Sequence, residues 1–397
     1  MIKCKNNCTS CKYIKRCGGC SLCEVLLCNN NCNSCGTVCF NKNNITGYLD
    51  IFKDFKISID KNTYKQLPMH IPIIPEKIKD YERDLELDFV AINAGSIFSS
   101  NGEKTKKNII KNGIYTSLNI NKNSKLILEF YIKDRYLEGF WDNRFSIYKD
   151  LKDLNFDYVI APNFSVYSDL PRIDHIYNIK RTSIVYKELL DHGINSIPDI
   201  SWFNINDLDE WIREINRNDI KLISFSFQNV GVGLKPSNSW KQNLLGLNYL
   251  CSNIKNSVDI VTVGVVSPFR IAEIYNSINK SNKLVILNQS AFIQSRKGML
   301  SEFRKQVPYI PFDKLFSKNL EYYNNIYKEI YKSDDIYSLS HLSKNDLIKY
   351  YKKQLDSKNF TNSDYTNNFL LRCLKNKKVK EVGSFQNQEE IHWQHKV

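Results

Sequence analysis

From about residue 85 the chain alternates short, almost continuous apolar runs with amphipathic stretches. The runs are Phe89-Val90-Ala91-Ile92, Leu126 to Phe130, Tyr158-Val159-Ile160-Ala161, Asn195 to Ile200, Leu222 to Phe227, Ile260 to Val265 and Leu284 to Leu287. They recur roughly every 25–40 residues, the repeat of a strand plus a helix in a parallel array. Runs that are apolar at every position mark strands covered on both faces. Between them, Ile176 to His192 has apolar residues at helical spacing and stops at Gly193, and Leu208 to Ile215 predicts another helix. Seven or eight such repeats fit a (β/α)8-type barrel over 85–305 better than an open sheet. No Gly-x-Gly-x-x-Gly follows the first run, so nothing supports a dinucleotide fold.

The pattern changes on both sides of this region. Residues 41–84 are polar and punctuated by Pro68, Pro72 and Pro75, and read as a connector. After about 305, Pro308 and Pro311 mark a boundary. Residues 306–397 predict a helical, basic extension, with helices over 317–333 and 343–356 and a Lys-rich stretch at Lys375 to Lys380. Basic residues interleaved with tyrosines suit single-stranded nucleic acid, though a plain helical appendage packed on the barrel explains them as well.

Composition adds two constraints. The formal charge is +14, which favours a polyanionic partner, nucleic acid before membrane surface. The excess of Asn, Ile, Lys and Tyr also fits an AT-rich genome, which supplies lysines without a function. No run of apolar residues is long enough to span a membrane, and the N-terminus lacks a secretory signal, so a cytoplasmic protein is expected.

The cysteines are the least random feature. Of twelve, ten lie in residues 1–40: Cys4, Cys8, Cys11, Cys17, Cys20, Cys23, Cys28, Cys32, Cys35 and Cys39. In a reducing compartment such a cluster predicts metal ligation and not disulfides. With no histidine before His70, the ligands are all thiolates, which leaves zinc or iron–sulfur clusters. The C-x2-C-x2-C at Cys17, Cys20 and Cys23 is similar to a ferredoxin loop but lacks the Cys-Pro that completes it. The C-x3-C-x2-C spacings at Cys4 and Cys28 raise radical chemistry as a further alternative. A purely structural metal knot or docking surface is an equally good reading.

In a barrel, chemistry sits where strands end at their C-termini. The polar residues there are Asn93, Glu129, Asn163, Asp169, Arg172, Asp199, Trp202, Gln228, Asn288 and Arg296. Glu129, Asp169 and Asp199 are the candidate acids, bases or nucleophiles, and the others are candidate substrate contacts. Capping or a buried ion pair is the competing role for each. His175 and His192 are expected at helix ends or on the surface.

The segment Ala161-Pro162-Asn163-Phe164-Ser165-Val166-Tyr167-Ser168-Asp169-Leu170-Pro171-Arg172, continuing through Asn178, Arg181, Gly193-Ile194, Ile197-Pro198 and Ser201-Trp202, resembles the domain of unknown function 4417. That resemblance implies a phage or mobile-element context and brings no activity with it. Val263 to Pro268, Leu287-Asn288-Gln289-Ser290 and Ser295-Arg296-Lys297-Gly298 are similar to tRNA-guanine transglycosylase barrels, which implies a base-modifying enzyme. In that family the position of Asn288 holds a nucleophilic aspartate, and zinc ligands follow the barrel; neither is present here. Two classes stay open. One is a nucleic-acid-associated metalloenzyme. The other is a nucleic-acid- or protein-binding module with a vestigial barrel, whose mouth would be plugged by apolar side chains.

Overall fold

The computed structural model describes residues 56–78, 86–167, 172–228, 238–302 and 305–332. The cysteine cluster, Asp169, the helix expected at 343–356 and the Lys-rich tail lie outside these residues.

Eight parallel strands form one sheet: β1 (His70–Ile74), β2 (Phe89–Asn93), β3 (Lys125–Glu129), β4 (Tyr158–Ile160), β5 (Ser196–Ile197), β6 (Leu222–Ser226), β7 (Asp259–Val263) and β8 (Lys283–Asn288). Each pairs with its sequence neighbour, and β1 pairs with β8. Past the end of β5, Ser224 donates its N–H to Pro198 O (2.9 Å) and Ile200 donates to Ser224 O (2.8 Å), which closes the ring. The helices are α1 (Ala94–Ile97), α2 (Lys107–Leu118), α3 (Asp134–Leu154), α4 (Arg172–Asp191), α5 (Ile205–Asn218), α6 (Asn238–Asn253), α7 (Pro268–Ser277), α8 (Ser290–Arg296) and α9 (Phe312–Lys332). A small antiparallel pair, β9 (Met299–Leu300) and β10 (Lys305–Gln306), lies between α8 and α9. This is the expected (β/α)8-type architecture. Among the described residues, no helix is long and apolar enough to cross a membrane.

Strand side chains alternate between two buried clusters. Ile71, Ile73, Ala91, Ile127, Ile160, Ile197, Leu222, Val261, Val263, Val285 and Leu287 fill the barrel lumen. Their neighbours Ile74, Val90, Ile92, Leu126, Leu128, Val159, Ile223, Phe225, Ile260, Leu284 and Ile286 pack with the helices. Burial on both faces removes the polar alternation that one wet face would impose, hence the continuous apolar runs.

Two segments differ from the sequence reading. The stretch expected as connector supplies β1, and residues ahead of it run across the N-terminal end of the barrel. There Asn62 Nδ2 donates to Ser196 O (3.1 Å) and Leu222 O (3.4 Å), Tyr64 donates to Asp259 Oδ2 (3.0 Å), and Leu67 enters the lumen. His70 and Pro72 interrupt the apolar pattern of β1, so its run is too short to register in the sequence. The helix expected at 317–333 is α9, which belongs to the barrel's helical layer. It packs on β1, α7 and α8, and Tyr327 donates to Val266 O (3.1 Å).

The contact between α9 and β1 carries a pH dependence. His70 is buried between Tyr323 and Tyr327, with Nδ1 2.7 Å from Asn324 Oδ1, to which the neutral ring donates. Burial lowers its pKa from 6.5 to about 4, only partly offset by Asn324. The unfolded chain therefore binds this proton more readily than the folded one. The neutral ring's contribution is intact above pH 6.5 and is lost as pH falls toward 4. A His70→Gln variant, which keeps an amide for Asn324, is expected to unfold with a shallower acid limb. Denaturant titrations from about pH 7 to about pH 5 should show wild type losing about 2 kcal/mol more than the variant.

Candidate functional site at the barrel mouth

A cleft of about 880 Å³ opens at the C-terminal ends of β3 to β7. Its wall is made by Tyr131, Lys133 and Asp134 after β3, Asn163, Ser165 and Tyr167 after β4, and Ser201, Trp202 and Phe203 after β5. Ser226 and Gln228 come from the end of β6, Gly264 follows β7, and Ser239, Gln242 and Asn243 come from the first turns of α6. Ile132, Val166 and Ile200 also line it, so the wall mixes hydroxyls, amides and aromatic rings with aliphatic side chains, and among the described residues it carries one cation and one carboxylate. The carboxylate is engaged: Asp134 accepts from Ser165 Oγ (2.6 Å) and Tyr167 Oη (3.0 Å). Among the described residues, no apolar side chain plugs the cleft.

The loops are held from below. In the β4–α4 loop, Thr182 donates to Pro162 O (3.0 Å) and Asn178 Nδ2 to Ser165 O (2.6 Å). Arg181, 3% exposed, donates to Asn178 Oδ1 (2.6 Å) and to both oxygens of Glu138 (2.7 and 2.9 Å). Its guanidinium also lies 4.0 Å from the centre of the Phe164 ring, with Tyr177 and Trp141 further out. The loop after β5 is fixed by Trp211 Nε1 donating to Ser201 O (2.9 Å) and by the Asn204–Asp207 capping box of α5.

Three of the sequence candidates, Asn163, Trp202 and Gln228, line the cleft. Asp199 and Glu129 do not reach its wall; they lie fully buried beneath its floor, joined through Tyr131. Tyr131 Oη donates to Asp199 Oδ1 (2.7 Å) and lies against Ser224 Oγ, while Tyr131 N donates to Glu129 Oε2 (2.7 Å). The other oxygen of Glu129 accepts from Asn93 Nδ2 (2.6 Å), which ties the partly buried Asn93 to this group. Asp199 Oδ2 has no hydrogen-bond partner among the described residues. Burial pushes Asp199 up to about 7, against the hydroxyls of Tyr131 and Ser224 that favour the carboxylate. Burial likewise raises Glu129 to about 8, against Asn93 and Tyr131 N. Tyr131, buried and facing Asp199, stays well above its ordinary pKa and keeps its proton.

The structure does not bring the remaining candidates together. Asn288 sits on the helix-facing side of β8, accepts from Ser290 N (2.7 Å) and reaches Tyr327 (3.4 Å). It helps start α8 and faces away from the cleft, so the position that the transglycosylase resemblance assigns to a nucleophile has no access to substrate. Arg296 pairs with Glu76 (2.7 Å) on the surface. Arg172 opens α4, and its side chain lies outside the description, as does all of Asp169. His175 is at a helix end, as expected, but buried, its ring 3.9 Å from that of Phe203. His192 follows the last turn of α4, its ring 4.9 Å from that of Tyr148. Among the described residues no group of three or more His, Cys, Asp or Glu could hold a metal. Sequence reasoning missed Tyr131, Lys133, Asp134, Ser226 and Gln242 among others. The first four fall within five residues of a strand end, so scanning further past each apolar run would have included them, whereas Gln242 sits in α6, where no such run points to it.

Residues 100–280 match the family described as Domain of unknown function (DUF4417). This segment is a DUF4417 domain. Every described residue lining the cleft lies within this segment. No curated protein matches the chain. Among solved structures it is similar to "Structure of L-ribulose 3-epimerase", with a TM-score of 0.34 and 8% identity over 74% of this chain and 99% of that one.

Proposed function

We propose that this protein is an enzyme whose barrel mouth carries out acid–base chemistry on a nucleobase of a nucleic-acid substrate, in a phage or mobile-element setting. The observation that carries the reading is Tyr131 on the floor of an open, polar cleft, hydrogen-bonded to a fully buried Asp199 whose pKa lies near neutrality. A carboxyl poised near working pH can both give and take a proton, and few structural roles require that. Asp199 is the group that gains and loses the proton, and Tyr131 stays neutral as a relay, taking a proton from Asp199 as it gives one up toward the cleft. Glu129, raised further, stays protonated and fixes the backbone at Tyr131. The amide-rich, nearly uncharged wall suits a base, and the net charge of +14 suits the polyanion that bears it. The test is turnover with single-stranded oligonucleotides, followed by base analysis of the product. An altered base that disappears with Tyr131→Phe supports the reading, and products identical to those of a blank incubation refute it.

The cysteine module is proposed as a second, separate centre. Thiolates at C-x2-C-x2-C spacing converge on one soft metal, and a segment so poor in apolar residues draws its folding free energy from that metal. Anaerobic purification is expected to give at least one metal centre with Cys17, Cys20 and Cys23 among its ligands. Broad visible absorption identifies iron–sulfur, and a colourless protein with stoichiometric zinc identifies zinc. A folded, metal-free N-terminal segment would end the proposal.

A further inference from the structure

The cleft has one wall built differently from the rest. Trp202 lies across Gly246 of α6 so closely that a Cβ on Gly246 would fall 2.2 Å from Cζ2 and 2.5 Å from Cη2 of the indole. Only a residue without a side chain allows this approach. The ring is therefore backed by the helix on one side while remaining half-buried in the wall of an open cleft on the other. Its position is also fixed along the chain, because Ser201 and Phe203 on either side of it are tied to α5. The same cleft is lined by Asn163, Gln228 and Gln242, whose side-chain amides make no hydrogen bond among the described residues. Each amide offers a donor and an acceptor in one plane, the complement of a base edge. Lys133 is the single cation among the described residues of the lining.

We infer that Trp202 is a stacking platform for the planar ring of a single nucleobase, that Gly246 is the positioning residue that seats it, and that Asn163, Gln228 and Gln242 read the edge of the base. The inference rests on the base-directed reading above and specifies its binding subsite. A base in a duplex cannot reach such a wall, so the base enters from a single strand or after being turned out of the helix.

The test uses the full-length protein, titrated with free nucleosides and short single-stranded oligonucleotides, read by tryptophan fluorescence and by calorimetry. Saturable quenching is expected. Trp202→Phe should lose most of the quenching yet bind within about fivefold of wild type, because a smaller ring still stacks. Trp202→Ala and Gly246→Ala should each weaken binding by about tenfold or more. Melting temperatures identify any variant that fails to fold, and in that case the loss of quenching in Trp202→Phe decides. Unchanged affinity in folded Trp202→Ala and Gly246→Ala overturns the platform and leaves the acid–base reading standing. Trp202-dependent binding of monosaccharides in place of nucleosides overturns the choice of a base. Absence of binding to any nucleoside or oligonucleotide overturns both readings. Intact nucleoside binding with full turnover in Asp199→Asn overturns the acid–base reading alone.

Discussion

Asp199→Asn is expected to cut turnover at least about 100-fold while making the protein less sensitive to alkaline pH. The two effects have one origin. Asp199 titrates near 7 in the folded protein and at 3.8 in an ordinary carboxyl, because burial disfavours the anion. The folded state therefore holds this proton more tightly than the unfolded chain. That contribution to stability is complete below about 4 and is lost as pH rises through 7. Asparagine does not titrate, so its stability relative to wild type should rise by about 2–3 kcal/mol between about pH 5 and about pH 8. Catalytically, the amide keeps the contact with Tyr131 and loses the exchangeable proton. Denaturant titrations at the two pH values, beside initial rates on oligonucleotide, separate the effects. Full turnover with a flat stability difference would remove Asp199 from the mechanism. A shift in stability with unchanged turnover would leave it a buried structural acid.

Arg181→Leu is expected to destabilise the protein by about 2–4 kcal/mol and to weaken ligand binding in the cleft, although Arg181 does not line it. The salt bridge itself explains little of this. Glu138 is 41% exposed, so water already screens that pair and the freed carboxylate is readily solvated. The cost comes from the planar guanidinium packed against Phe164, Tyr177 and Trp141 and from its hydrogen bond to Asn178, which in turn holds Ser165 O. Losing that chain releases the loop bearing Asn163 and Ser165. Arg181→Lys should be no better, because an ammonium neither stacks flat nor spans both oxygens of Glu138. The decisive result is a lowered melting temperature together with weaker nucleoside binding. A stability loss with unchanged binding would show that the loop stands without this support.

The resemblance to the domain of unknown function 4417 rested on Ala161 to Arg172 with Asn178 and Arg181, and part of that segment now has a physical role. Asn178, Arg181 and Thr182 are the face of α4 that holds the cleft loop in place. Polar residues on a helix otherwise turned to the core signal such a support, since each must find a partner to be buried there. The stretch from Ser168 to Pro171 lies outside the described residues.

Taken alone, the sequence determined the fold class and seven of the eight strands. A strand buried on both faces must be apolar at every position, and that signal survives without any tertiary information. The same property hid the site. Where both faces are apolar, nothing along the chain says which parity points into the lumen. Glu129 and Asn288 look alike in sequence, each a polar residue closing an apolar strand. Glu129 shares the parity of Ile127 and points into the lumen, where it meets Asn93 and the backbone of Tyr131. Asn288 shares the parity of Ile286 and points to the helices, where it meets Tyr327. Only the closed barrel decides between them, because strand pairing around the ring sets the register of all eight strands together. The junction of Asp199, Tyr131 and Ser224 is a product of that closure: Tyr131 just past β3, Asp199 just past β5 and Ser224 within β6, up to 93 positions apart, meet because β5 and β6 come together.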